Sequence, residues 1–137
     1  MDYKRLPVWR EATRLMVEIE NVVRCFSKYH RYTVGAELRS VVMRIGQVLH
    51  RAFSRKNNKH KLVQQLAELI EDLKLQIQIA KELHAFRSFA QFESISVLVV
   101  SLGKQVGGWL KHTRAEWQRR NSAASDSTHC APGAPSK

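Results

Sequence analysis

The chain has 137 residues, enough for one domain with its own core and short for two ordinary ones. Its 44% hydrophobic and 26% charged residues exclude a disordered composition, and only 6 Gly and 3 Pro leave few turns for an all-β fold. Against 12 acids stand 23 Lys and Arg, a formal net charge of +11, which points to a polyanion: the phosphates of RNA or DNA, or an anionic membrane surface. Bare solubilising charge is the alternative.

In chain order, Val8, Ala12, Leu15, Ile19, Val22 and Phe26 recur at spacings of three and four, one apolar helical seam with Pro7 suited to its first turn. A second seam begins after Thr33, a candidate N-cap, and runs through Val34, Leu38, Val41, Ile45, Val48 and Ala52, broadened by Val42 and Leu49. The polar stretch of residues 55–61 leads into Leu62, Leu66, Leu69, Leu73, Ile77, Ala80 and Leu83, whose Leu-rich composition favours helix. Ser88 and Gln91 then read as a capping box, Ser88 accepting from the third helical amide and Gln91 reaching back. The fourth seam is Phe92, Ile95, Val99, Leu102, Val106 and Trp109.

Four helices of matched length with short connections pack most simply as an all-α, antiparallel up-down-up-down four-helix bundle over residues 1–120. From Asn121 the composition turns to Ser, Ala, Pro and Gly, and residues 121–137 are expected to be a disordered tail.

The positive charge is unevenly placed. Between residues 24 and 61 lie Arg24, Lys28, Arg31, Arg39, Arg44, Arg51, Arg55, Lys56, Lys59 and Lys61 against the single acid Glu37, while the third helix carries Glu68, Glu71, Asp72 and Glu82 against Lys74 and Lys81. Arg44, Arg51 and Arg55, at spacings of seven and four, form one stripe beside the apolar seam. Lys104, Lys111 and Arg114 form a smaller row on the fourth helix. Like charges at one turn's separation repel by a few tenths of a kcal/mol per pair, and a face selected for solubility alone would interleave acids. Such stripes follow phosphates and read no base edges. The candidate nucleic-acid-binding residues are therefore Lys28, Arg31, Arg39, Arg44, Arg51, Arg55, Lys56, Lys59, Lys61, Lys104, Lys111 and Arg114.

Catalytic signals are missing from the sequence, and no enzyme activity is expected. His30, His50, His60, His84, His112 and His129 form no Glu-x-x-His pair, Glu68, Glu71 and Asp72 read as a solvated face, and no glycine loop cradles a phosphate. Neither a metal nor another cofactor is expected. Cys25 and Cys130 have no disulfide or zinc spacing. Residues 1–20 carry charge in every turn, unlike a signal peptide, and the longest apolar run, residues 95–102, is far below the ~20 residues of a membrane span. A cytoplasmic location follows as an expectation, with no membrane partner.

Gly103, Gly107 and Gly108 sit inside the fourth helix, where each costs up to ~1 kcal/mol relative to Ala. Their small size suits the close approach of another backbone, from the same bundle or from an adjacent subunit. Trp109 follows as a core or interface anchor, while Trp9 and Trp117 are surface or interface aromatics.

The run Phe26-Ser27-Lys28-Tyr29-His30-Arg31-Tyr32-Thr33-Val34-Gly35 resembles the Phe-Pro-Lys-x-x-Arg-Phe-Thr-Leu-Gly segment of the accessory variability determinant proteins of diversity-generating retroelements, and Gly107-Gly108-Trp109-Leu110-Lys111 resembles their Gly-Gly-Trp-[Ile/Leu]-Lys ending. The resemblance covers about residues 7–113, with Ser27 in place of the usual proline and Tyr32 in place of Phe. It implies a four-helix bundle assembled as a homopentameric barrel. It also implies binding to the element's reverse transcriptase and to template RNA or cDNA, in a bacterial or phage-encoded system, without polymerase activity of its own. Arg31 and Lys111 match basic positions of that family, and Gly107, Gly108 and Trp109 match positions tied to fourth-helix packing or a partner interface. Val8-Trp9-Arg10-Glu11-Ala12 also resembles the opening of bundle proteins encoded in intervening sequences of 23S rRNA genes. The alternative is thus a protein-interaction scaffold of that type, whose basic face docks an acidic protein.

Overall fold

The computed structural model describes residues 2–129, and side-chain surroundings for residues 2–124. Among the described residues every regular element is helical: a 3-10 turn at Tyr3–Arg5, then α1 (Pro7–Arg24), α2 (Lys28–Tyr32), α3 (Val34–Ser54), α4 (Lys59–Glu82) and α5 (Phe89–His129). The four long helices pack on one another, α1 against α3 and α5, and α4 against α3 and α5. Their apolar seams meet in one continuous core.

The expected seams are the buried faces. Ala12, Leu15, Ile19 and Val22 of α1, Leu38, Val41, Ile45, Val48 and Ala52 of α3, Leu62, Leu66, Leu69, Leu73, Ile77 and Ala80 of α4, and Ile95, Val99, Leu102 and Val106 of α5 are all buried. Val8, Val34, Phe92 and Trp109 are half-buried at the ends of these faces.

The connection between α1 and α3 is itself partly helical. α2 inserts one short helix there, and Ser27 caps it, its Oγ accepting from the His30 amide at 3.4 Å. Thr33 precedes α3 but does not cap it with its side chain: its hydroxyl donates to the Tyr29 carbonyl at 2.8 Å. The intervening helix supplies that acceptor one turn back, so the hydroxyl closes α2 in place of opening α3. Gly35 follows at a crowded crossing. A Cβ there would stand 2.8 Å from Val23 Cγ1 and 3.0 Å from the His30 carbonyl oxygen, closer than side-chain carbons pack.

α4 ends one residue before its seam does. Leu83 is the C-cap and half-exposed, and His84 adopts a left-handed backbone at φ 58°. The Ala85 amide donates to the Ala80 carbonyl at 2.9 Å and the His84 amide to Lys81 at 3.0 Å, the paired bonds of a Schellman end, with Ala85 buried over Ala80. The chain then enters α5 through the expected capping box. Ser88 Oγ accepts from the Gln91 amide at 3.3 Å, and Gln91 Oε1 accepts from the Arg87 amide at 3.1 Å, one residue earlier than the usual reciprocal bond.

α5 continues past the expected boundary at Asn121 as far as His129. Extending an existing helix costs far less than nucleating one, and Ala123 and Ala124 favour it. The remainder of the expected tail, residues 130–137 with Cys130, lies outside the described residues. No helix among the described residues is long and apolar enough to cross a membrane.

Candidate nucleic-acid interface

The basic residues singled out from the sequence do not form one patch, because α3 stands between them. Its 21 residues span about 30 Å. Lys28 and Arg31 precede it, while Arg55, Lys56, Lys59 and Lys61 follow it.

Two of these cations are committed inside the chain. Arg39 meets Glu20 of α1 in a two-point fork, Nε donating to Oε2 at 2.8 Å and Nη2 to Oε1 at 2.9 Å. Arg31 is half-buried, its Nη2 donating to the Phe26 carbonyl at 3.2 Å and its Nε enclosed without a partner. It ties α2 to the end of α1 and is poorly placed to reach a phosphate.

The others are mostly open. Lys28, Arg44, Arg51, Arg55, Lys56, Lys61, Lys104, Lys111 and Arg114 are exposed and Lys59 is half-exposed; among the described residues none of them forms an ion pair. Arg44 and Arg51 share the outer face of α3 two turns apart, whereas Arg55 is the C-cap with extended backbone, beyond the helix. Lys104 and Lys111 occupy the outer face of α5. At about 100° per residue that face lies roughly 120–180° round the helix from Thr113 and Trp117, so these two lysines do not join the group that follows α3.

Where α4 begins, the α3–α4 connection faces α5 across a cleft of about 660 Å³, lined by residues 56–61 and by Thr113, Glu116, Trp117, Arg120 and Asn121. Asn58, at φ 64°, turns the chain into α4 with no side-chain cap bond. Inside the cleft, the His60 ring stacks on the Trp117 indole, centroids 5.7 Å apart at 24°. His60 Nδ1 lies 3.2 Å from Thr113 Oγ1, and Thr113, only 5% exposed, gives its hydroxyl proton to the Leu110 carbonyl at 3.0 Å. A hydroxyl has one proton, so the two bonds coexist when Nδ1 carries the hydrogen and donates to Thr113 Oγ1. Trp117 remains 49% exposed. Glu116 is the one acid lining this cleft, and it is engaged by His112 Nε2 at 2.6 Å and, more loosely, by Arg120 Nη2 at 3.7 Å.

The sequence marked Trp117 only as a surface or interface aromatic and His60 only as a histidine outside any metal pair, and it did not bring the two together. The available signal was the α5 seam itself, which continues from Trp109 through Thr113 to Trp117 at spacings of four.

Trp109 is largely engaged within the chain. It stacks on Phe53 at 4.9 Å, and Phe53 stacks on Tyr3 at 5.1 Å, forming an aromatic column whose Tyr3 hydroxyl meets His50 Nδ1. Trp9 packs edge-on against Tyr3 in the same group. The glycines divide. A Cβ at Gly103 would meet Lys74 Nζ at 3.3 Å and Ile70 Cγ2 at 3.5 Å, so α4 is the neighbour its size accommodates, whereas Gly107 and Gly108 face open space.

Glu68, Glu71 and Asp72 are exposed on α4, with Lys74 Nζ donating to Glu71 at 2.9 Å. Among the described residues no grouping of three or more His, Cys, Asp or Glu side chains could hold a metal ion. No protein-family model matches the chain, and no curated protein matches it.

Proposed function

We propose that the chain is a non-catalytic accessory protein of a diversity-generating retroelement, which holds template RNA or cDNA on a basic surface and docks the element's reverse transcriptase. The observation that carries this reading is the unpaired cationic group Arg51, Arg55, Lys56, Lys59 and Lys61 at one end of the four-helix core. Cations left without acids at such density repel one another, and a polyanion relieves that repulsion while releasing its own condensed counterions. The phosphate backbone is engaged without base readout, so binding is tolerant of sequence.

The bundle in this reading is antiparallel, up-down-up-down. Tyr3 beside His50 and Glu20 beside Arg39 support it, since the start of α1 lies by the end of α3 and the end of α1 by the start of α3. Assembly with further copies is supported by Gly107 and Gly108, and a homopentamer is the assembly that the family resemblance implies. The cost of these glycines within α5 brings no packing inside the chain, and a second backbone on that face would account for it.

A protein-interaction scaffold is the second reading. An apolar groove between α1 and α3, about 390 Å³ and lined by Met16, Val17, Val42 and Met43, favours it, with Val17 and Met43 exposed. Titrating a labelled RNA at several salt concentrations separates the two. The nucleic-acid reading expects log affinity to fall steeply and linearly with log salt. A scaffold ignores the oligonucleotide and binds an acidic protein.

A further inference from the structure

We propose that the cleft between the α3–α4 connection and α5 receives an unpaired base of a single-stranded nucleic acid, stacked on Trp117, with Lys56, Lys59 and Lys61 holding the flanking phosphates. This inference rests on the reading of the chain as a nucleic-acid binder and adds where and in what form the strand is held.

Three observations converge on the cleft. The first is shape: the cleft is concave and, at about 660 Å³, lies within the range of small-ligand sites. The second is charge. Lys56, Lys59, Lys61 and Arg120 line it against Glu116 alone, and Glu116 is engaged by His112 and Arg120.

The third is the aromatic pair. Trp117 keeps 49% of its surface in solvent, although a large apolar ring at a helix surface gains by being covered. It is also braced: His60 stacks on it, and His60 is fixed in turn by the buried Thr113 hydroxyl. A braced, half-exposed indole among lysines matches the stacking platforms on which single strands lie. Bases in a duplex are already stacked on each other and cannot reach such a ring, so the cleft selects a single strand or an unpaired loop.

The test uses the full chain, its Trp117→Ala and Trp117→Phe variants, and four probes read by fluorescence anisotropy: labelled oligo(U), the matching oligo(dT), a duplex of the same length, and an abasic oligonucleotide carrying phosphates alone. Thermal melts check that each variant folds. Trp117→Ala should weaken binding of the single strands by about tenfold, with the duplex and the abasic probe unchanged. Trp117→Phe should recover most of the loss. A larger effect on oligo(U) than on oligo(dT) assigns the cleft to RNA, and the reverse assigns it to cDNA.

The proposal is overturned if the folded Trp117→Ala protein binds all four probes as the parent does, or loses affinity for the abasic probe and oligo(U) alike. In those cases nucleic-acid binding itself stands. A parent chain that binds none of the probes while binding polyglutamate overturns the functional reading and this inference together.

Discussion

Arg39 grips Glu20 through two parallel hydrogen bonds of 2.8 and 2.9 Å, and this fork clamps α1 to α3 while withdrawing a cation from the surface. Arg39→Ala should therefore leave RNA affinity and its salt dependence unchanged, and lower stability by about 0.5–1 kcal/mol, the range for partly exposed pairs of good geometry. Denaturant unfolding and an RNA titration on the same preparation check both halves. Loss of RNA affinity with no loss of stability would return Arg39 to the interface.

At the crossing of α1, α2 and α3, Gly35 has no room for a methyl group. Gly35→Ala must displace the fully buried Val23 or the backbone at His30. We expect a loss of about 1–3 kcal/mol despite alanine's better helix propensity. An unfolding midpoint equal to or above the parent's would show that the crossing can yield.

His84 offers the opposite case. It holds a left-handed conformation at φ 58° in a turn whose hydrogen bonds would suit glycine. His84→Gly should stabilise the fold by about 0.5–1 kcal/mol, relief of backbone strain outweighing the added freedom of the unfolded chain. Thermal unfolding decides it, and a destabilised variant would assign the His84 side chain a role the turn does not account for.

Gly107 and Gly108 separate folding from assembly. Inside the chain nothing meets a Cβ at either position, so replacing both with Ala should stabilise the isolated fold by up to about 1 kcal/mol each. The same change should block close approach of a second backbone. Light scattering is expected to find five copies for the parent and fewer for the double variant. An unchanged mass would move the subunit contact away from this face.

The core was legible because its signal is local periodicity. Residues at spacings of three and four in all four seams are buried along the middle of each helix, from Leu15 and Ile45 to Leu73 and Val99, and only seam ends such as Leu83 come out into solvent. What escaped sequence reading is non-local. Nothing near Thr33 announces that its hydroxyl turns back to Tyr29, since that depends on the short helix α2 before it. Arg39 and Arg31 read as members of a basic run, and only their neighbours, the Glu20 carboxylate of α1 and the Phe26 carbonyl just beyond that helix, show both to be engaged within the chain. Charge summed along residues 24–61 likewise hid that α3 carries one group of cations about 30 Å from the other. Trp117 gained meaning when the α3–α4 connection was seen to lie across from it.

The most direct test of the central claim compares the two cationic ends by the salt dependence of single-stranded RNA binding. In one variant Arg51, Arg55, Lys56, Lys59 and Lys61 become Gln; in the other, Arg24 and Lys28 do. The account predicts that the first change lowers the slope of log affinity against log salt by about 3.5, at roughly 0.7 per phosphate contact on a single strand, and that the second leaves it nearly unchanged. A parental slope in the first variant, with its fold intact, would contradict the account.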